Sequence, residues 1–258
     1  ELHMNKIALE EHFITQSLEP YLQLDSYLLP DMPTASDDGR KELLARLSDF
    51  GEKRLSAMDA AGVDVAVLSV TGPGVQAERD PAKASELARG ANDELAKEIV
   101  MQPDRYRGFA HLAMQDAKGA ADELERCVKE LGFAGAMVNG HTNGVYLDDA
   151  RYDVFWERMQ ALDVPLYLHP ADSYVLPYVL EDCPELSKPV WEWTTETSTH
   201  FLRLVFAGVF DRFPKLKVIL GHMGETLPYV LWRLDSRAAL LADKRPLQEA
   251  PSVYLKRN

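Results

Sequence analysis

The chain has 258 residues, of which 46% are hydrophobic, and this is enough to bury one large core of the size usual for a single α/β barrel. The 28 Lys and Arg residues face 41 Asp and Glu residues, and the resulting formal charge of -13 argues against nucleic acid or an anionic membrane as a partner. The only two cysteines, Cys127 and Cys183, argue against a disulfide scaffold and are typical of the cytoplasm. We therefore expect a soluble, acidic, cytoplasmic protein.

The start of the chain and the lengths of its apolar runs bear on targeting and on membrane insertion. The residues before Met4 are interpreted as a cloning remnant, and no secretory signal follows them. The longest apolar runs, such as 63–70, have the length of a strand and not of a membrane span. We predict one domain over 4–258, because no repeat, low-complexity tract or Gly/Ser linker divides it.

Short β-branched segments alternate with longer amphipathic segments along the chain. The predicted strands are 6–10, 63–70, 106–112, 133–139, 164–169 and 217–222. The predicted helices are about 40–61, 81–100, 117–131, 150–162, 197–211 and 225–241. At 81–100, for example, Asp80 can cap the helix and Pro81 suits its first position. Six successive β/α units predict a parallel α/β architecture, either an open sheet or a barrel.

Two longer segments, 16–38 and 171–196, are expected to be insertions that build a lid or a pocket beside the strand ends. Trp191 and Trp193 lie in the second of them. They are candidates for lining a pocket for a flat aromatic ligand, and packing in the core is an equally good alternative.

Residues that commonly bind metals occur where predicted strands end. Glu10 and His12 stand two apart at the end of the first strand, so both side chains are expected on one face, with Glu11 on the other. A carboxylate and an imidazole placed in this way form two corners of a divalent-metal site; the alternative is a surface Glu beside a capping His. His169 ends the strand at 164–169, and two strands that end in such residues favour a shared metal.

His222 follows the last predicted strand and precedes Glu225. Gly221 and Gly224 permit a close backbone approach, and Glu225 is near enough in sequence to orient the imidazole. Beside a cation, such a histidine is a candidate for proton transfer. The alternative is a structural turn in which Glu225 only favours the N-terminus of a helix.

The other candidates are weaker. His111 ends the third predicted strand, His141 lies in the loop after the fourth, and His200 falls within a helix, where packing or exposure is the expected role. Arg54 and Arg233 are predicted on helices, where a solvated salt bridge is the default. The sequence has no GxGxxG, GxxxxGK[ST], GxSxG or CxxC motif, so nucleotide-driven chemistry has no support.

Three of these segments resemble a known enzyme family. They are similar to motifs of the metal-dependent benzoate-type decarboxylases in the amidohydrolase superfamily, which include γ-resorcylate (2,6-dihydroxybenzoate) and 2,3-dihydroxybenzoate decarboxylases. The segments are Ile7–Phe13, Tyr167–Pro170 and Ile219–Glu225. The resemblance runs from about Lys6 to about Arg237. It implies an amidohydrolase-type (β/α)8 TIM-like barrel, one divalent ion (Zn or Mn), a small aromatic carboxylate substrate and a homodimer or homotetramer.

The resemblance also implies roles for individual residues. They are the metal ligands Glu10, His12 and His169, the histidine beside the metal His222, its orienting partner Glu225, and the carboxylate-binding Arg54 and Arg233. One of the arginines would reach the site of a neighbouring subunit. Members of the family continue for about two further β/α units, the last of which carries an Asp that completes the metal site and serves as the acid in proton transfer, with His222 tuning it. Six of eight strands are counted here, so we expect the natural protein to be longer.

These features together predict a carboxy-lyase that removes CO2 from an ortho-hydroxybenzoate and leaves a phenol, in a reversible reaction. A metal-dependent hydrolase of a C–N or lactone bond on the same scaffold is the main alternative, and a non-catalytic barrel is the second. The products separate the first two, since a hydrolase acting on a lactone would give a ring-opened acid. Metal content and affinity for a hydroxybenzoate distinguish the non-catalytic barrel from both enzymes.

Overall fold

The computed structural model describes residues 5–22, 36–241 and 247–258. Its strands are β1 Ile7–Phe13, β2 Val65–Val70, β3 Tyr106–Ala110, β4 Gly135–Asn139, β5 Leu166–His169 and β6 Val218–Leu220. Its α-helices are α1 Asp37–Leu47, α2 Glu52–Ala61, α3 Pro81–Met101, α4 Ala117–Lys129, α5 Asp153–Leu162, α6 Glu192–Phe206, α7 Val209–Arg212, α8 Leu227–Ala238 and α9 Pro251–Arg257. The residues before Met4, predicted to be a cloning remnant, and much of the segment 16–38 lie outside the described residues.

The six strands form one sheet in the order β1-β2-β3-β4-β5-β6. The pairs β1–β2, β2–β3, β3–β4 and β5–β6 are parallel. Strands β4 and β5 are buried at every position, and β2 is buried at all but its first. Near-continuous burial is typical of parallel strands that are covered on both faces, and the strand order is that of successive β/α units.

The described chain forms two compact units. The first comprises Glu1–Gln115 and Arg126–Ala136, and its core includes the fully buried Leu68 and Leu95. The second comprises Asp116–Glu125 and Met137–Asn258. In its core Phe210 stacks on Tyr254 at a ring-centroid distance of 6.1 Å. The single domain over 4–258 stays a prediction.

Local signals place several helix ends where the sequence predicted them. The Asp80 carboxylate accepts hydrogen bonds from the amides of Ala82 and Lys83, and Pro81 occupies the first position of α3. Gly62 ends α2 with φ of 64°, a left-handed conformation that costs glycine little. Within the described ranges, no helix is long and apolar enough to cross a membrane.

Three predicted elements differ clearly from the structure. The helix predicted at 40–61 is two helices, and the Asp49 carboxylate accepts a hydrogen bond from the Arg54 amide in the first turn of α2. The helix predicted at 197–211 begins at Glu192 and breaks at Gly208, whose φ is 70°. Strand β1 continues to Phe13, three residues past its predicted end.

Candidate metal centre and active site

Glu10 and His12 lie within β1, not at its end as the sequence predicted. The pairing with β2 runs from Ala8–Ala66 to Glu11–Leu68, so β1 carries one residue more than β2 between these pairs. Such a bulge redirects the side chains beside it. Farther along, His12 pairs with Ser69, and the Ser69 hydroxyl lies 3.3 Å from His12 Nδ1. This contact fixes the ring and leaves Nε2 as the nitrogen available to a ligand.

His169 ends β5 and is 8% exposed. Its Nδ1 lies 2.8 Å from the carbonyl oxygen of Pro170, to which an Nδ1–H donates. Gly140 donates its amide to the His169 carbonyl at 2.9 Å, and this bond holds the end of the strand in place. As in His12, the bonded Nδ1 leaves Nε2 to act as a metal ligand.

Glu10, His12 and His169 each offer one ligand atom, and these atoms all lie within 4.8 Å of one another. One carboxylate oxygen and two imidazole nitrogens form a donor set that suits Zn²⁺ or Mn²⁺. The donor set therefore fits the predicted divalent ion. It leaves further coordination positions for substrate or water, as a catalytic metal site requires.

His222 lies in a strained turn that follows β6. His222, Met223 and Glu225 have φ of 49°, 57° and 54°. Each non-glycine residue held in this region costs on the order of 1 to 3 kcal/mol, and such strain clusters at functional sites. The turn brings His222 Nδ1 to 3.3 Å from Glu225 Oε1, and the Thr194 hydroxyl donates to Glu225 Oε2 at 2.6 Å. A carboxylate that is only 6% exposed thus faces the imidazole.

The two predicted carboxylate-binding arginines differ in their surroundings. Arg54 donates from Nε to the Asp49 carbonyl at 2.7 Å and from Nη2 to the His12 carbonyl at 2.8 Å. Burial lowers the pKa of its guanidinium. Arg54 also lines a cavity of about 780 Å³ together with Glu10 and His12. Arg233 is exposed on α8.

The other histidines have structural partners. His111 and His200 are buried, and their Nε2 atoms accept hydrogen bonds from the amides of Val75 and Leu147, each at 3.0 Å. Burial lowers the pKa of His111 to about 4 and that of His200 to about 3, so both are neutral near pH 7. His141 accepts from the Gly144 amide at Nδ1 and lies 3.1 Å from the Asp172 carbonyl at Nε2.

Sequence reasoning missed the residues that orient the histidines. Ser69 and Thr194 carry no motif, and each acts on a residue far away in the chain. A sheet register would have identified Ser69, since it pairs with His12 on the neighbouring strand. Of the two tryptophans, Trp193 packs against His169 and His222, whereas Trp191 is 48% exposed.

The fold is that of the amidohydrolase family. A family model described as Amidohydrolase matches residues 12–256, and the chain belongs to this family. Among curated proteins, the gamma-resorcylate decarboxylase of Polaromonas sp. (strain JS666) is 47% identical over 243 aligned residues, and the match covers 91% of this chain and 71% of the relative.

Solved structures agree. That of a dihydroxybenzoic acid decarboxylase from Polaromonas sp. JS666, with bound manganese and the inhibitor 2-nitroresorcinol, has a TM-score of 0.88 and 45% identity, over 99% of this chain and 77% of that one. The structure of a 2,6-dihydroxybenzoate decarboxylase complexed with 2,6-dihydroxybenzoate has a TM-score of 0.87 and 42% identity, and the match covers 99% of this chain and 78% of that one. The predicted resemblance, the barrel fold class and the carboxy-lyase class are confirmed.

Proposed function

We propose that the chain catalyses the non-oxidative decarboxylation of an ortho-hydroxybenzoate of the γ-resorcylate type, which releases CO2 and a phenol. The observation that carries the proposal is the convergence of Glu10, His12 and His169 within 4.8 Å, in a chain whose relatives are decarboxylases of such acids. Carbon dioxide fixation onto the phenol is the same reaction reversed.

The chemistry explains why this site needs a cation and an acid. Direct loss of CO2 from an aromatic acid would leave an aryl carbanion, which no ring orbital stabilises. Protonation of the ring carbon before the C–C bond breaks avoids the carbanion, and an ortho-hydroxyl group makes that carbon basic. A divalent ion held by Glu10, His12 and His169 would supply positive charge to the anionic oxygens of the substrate and would help to orient the ring.

Each of the site residues would then have its own role in the reaction. Glu10, His12 and His169 hold the ion. His222 moves the proton, and Glu225 fixes its imidazole from 3.3 Å while Thr194 fixes Glu225. This is the arrangement of a histidine general acid or base oriented by a buried carboxylate.

The arginines are proposed to bind the substrate carboxylate. The bonds from Arg54 to backbone carbonyls engage Nε and Nη2, so a carboxylate would meet this residue through Nη1. Arg233 is exposed and is proposed to serve the site of a neighbouring subunit. A cytoplasmic homodimer or homotetramer is therefore part of the proposal, and sedimentation analysis of the purified protein tests the assembly.

The decisive experiment assays a panel of hydroxybenzoates with defined Zn²⁺ or Mn²⁺. We expect CO2 and the phenol from 2,6-dihydroxybenzoate and no product from 3,5-dihydroxybenzoate, which lacks an ortho-hydroxyl group. His169→Ala should lose both the metal and turnover, because it removes one of three ligands. Metal content by elemental analysis and product formation by chromatography measure this.

Two results would contradict the proposal. A ring-opened acid as product would favour a hydrolase on the same scaffold. Retention of metal and turnover by His169→Ala would remove the assigned metal site.

A further inference from the structure

Trp193 is in contact with both histidines that the proposed chemistry uses. Its ring centroid lies 6.3 Å from that of His169 and 5.7 Å from that of His222, at interplanar angles of 60° and 44°. The two imidazoles are themselves 5.6 Å apart and nearly perpendicular, at 81°. The indole therefore completes a cluster of three rings that pack on one another at distances typical of aromatic pairs.

The indole is held by a charged acceptor. Trp193 Nε1–H donates to Asp172 Oδ1 at 2.8 Å, and Lys188 Nζ donates to Asp172 Oδ2 at 2.6 Å. A hydrogen bond to an ionised group is about twice as strong as one between neutral groups. The contact with Lys188 holds the Asp172 carboxylate in place, so rotation of the indole would break a strong bond.

The backbone near Asp172 and Lys188 is also held by hydrogen bonds. Glu192, the residue before Trp193, is 5% exposed. Its carboxylate accepts from the amides of Ser173 and Lys188, each at 3.0 Å. Lys188 and the residue that follows Asp172 are thus tied to the first turn of the helix that carries the indole, and the side chain of Trp193 has little freedom to move.

We propose that Trp193 is a positioning residue that fixes the imidazoles of His169 and His222 relative to one another, and that Asp172 and Lys188 lock it. The inference rests on the proposed function, which makes these histidines a metal ligand and a proton carrier. Binding and catalytic groups must be held within about 10 to 20° of the productive geometry. A rigid indole against both rings supplies that constraint.

Substitution of Trp193 tests the proposal in turnover. We expect kcat of Trp193→Ala to fall about 10- to 100-fold, the range seen when supporting residues of a metal site are removed, with KM within about threefold. Trp193→Phe should recover part of kcat, because it restores an aromatic ring without the N–H. Trp191→Ala is the matched control: it removes a tryptophan two residues away that is 48% exposed, and kcat should be unchanged.

The hydrogen bond from Trp193 to Asp172 can be tested without substrate. In ¹⁵N-labelled protein the indole N–H signal of Trp193, assigned by its loss in Trp193→Phe, should move in Asp172→Ala. It should move much less in Asp172→Asn, which keeps a carbonyl acceptor. Metal titration should show that Trp193→Ala and Asp172→Ala weaken Mn²⁺ binding about tenfold and that Asp172→Asn does so less.

The outcomes separate this inference from the proposed function. If the wild-type protein decarboxylates no hydroxybenzoate but Trp193→Ala still weakens Mn²⁺ binding, the proposed function is wrong and the positioning role stands. If Trp193→Ala keeps kcat and Mn²⁺ affinity within about twofold of wild type, the positioning role is wrong. Equal losses in Trp193→Ala and Trp191→Ala would also overturn it, since they would indicate general destabilisation.

Discussion

At the scale of single residues, the histidines differ in which ring nitrogen the protein uses. His12 and His169 are bonded at Nδ1, by Ser69 and by the Pro170 carbonyl. His111 and His200 instead use Nε2 to accept a backbone amide, and burial lowers their pKa values. A buried histidine that satisfies an amide is structural, whereas one bonded at Nδ1 can present Nε2 to an ion.

Glu196 offers a test by pH. It is 5% exposed on α6, and burial raises its pKa to about 7, with the charges of Glu192 and Asp172 adding to the effect. Below pH 4.5 the carboxyl is protonated in both folded and unfolded chains. Between pH 4.5 and about 7 only the folded chain keeps the proton, so the free energy of unfolding falls as pH rises. Above about pH 7 the carboxylate is charged in both states, and the cost of burying its charge in the folded state is present in full.

We therefore expect Glu196→Gln to gain stability relative to wild type as pH rises from 4.5 to 8, by up to about 3 kcal/mol. Urea unfolding at a series of pH values measures the difference. The matched control is Glu157→Gln, an exposed glutamate on α5. A difference between Glu196→Gln and wild type that stays constant with pH would contradict the assigned burial of the charge.

At the scale of elements, the junction of β5 and β6 brings His169 and His222 together. Gly221 donates its amide to the Leu168 carbonyl at 3.0 Å, one residue before each histidine. A Cβ at Gly221 would lie 2.9 Å from that carbonyl oxygen and 3.1 Å from Pro170 Cδ, so the backbone would have to shift. The close approach that the sequence indicated for this glycine is a property of the strand pair.

Gly221→Ala should therefore lower the free energy of unfolding by about 1 to 3 kcal/mol, the usual cost of overpacking. It should also weaken Mn²⁺ binding, because the shift moves His169. Denaturant unfolding and metal titration measure the two effects. Gly90→Ala is the control: Gly90 lies on α3 with nothing within 4 Å of the added Cβ, and the change should stabilise by about 0.4 to 1 kcal/mol. Unchanged stability in Gly221→Ala would show that the junction is loose.

At the scale of the whole molecule, an ion at Glu10, His12 and His169 joins segments that are far apart in the chain. An ion that binds only the folded state stabilises it by mass action, by about 2.7 kcal/mol at 100 times its Kd. For a chain of this size that corresponds to a rise in Tm of roughly 5 to 10 °C. We expect Mn²⁺ to raise the Tm of wild type by this amount after chelator treatment, and not that of His169→Ala. Scanning calorimetry measures both, and equal rises would contradict the assigned ligand set.

Much of the fold could be predicted from sequence because its signals are local. Asp80 and Pro81 begin α3, Gly62 ends α2, and buried apolar runs mark the strands. The sequence also placed His169 at a strand end, because the apolar run 164–168 stops at this residue and Pro170 follows it. The break between α1 and α2 was not predicted; in the structure the Arg54 amide donates to the Asp49 carboxylate in the first turn of α2.

The sequence by itself determined that Glu10, His12 and His169 come together, because ligand-type side chains near the C-terminal ends of parallel strands meet at one edge of a sheet. Only the tertiary structure decided how they are oriented. Ser69 on His12, Thr194 on Glu225 and Trp193 between His169 and His222 are contacts between distant parts of the chain. Their geometry depends on strand register, a bulge and a strained turn, and none of these follows from the composition or periodicity of a segment.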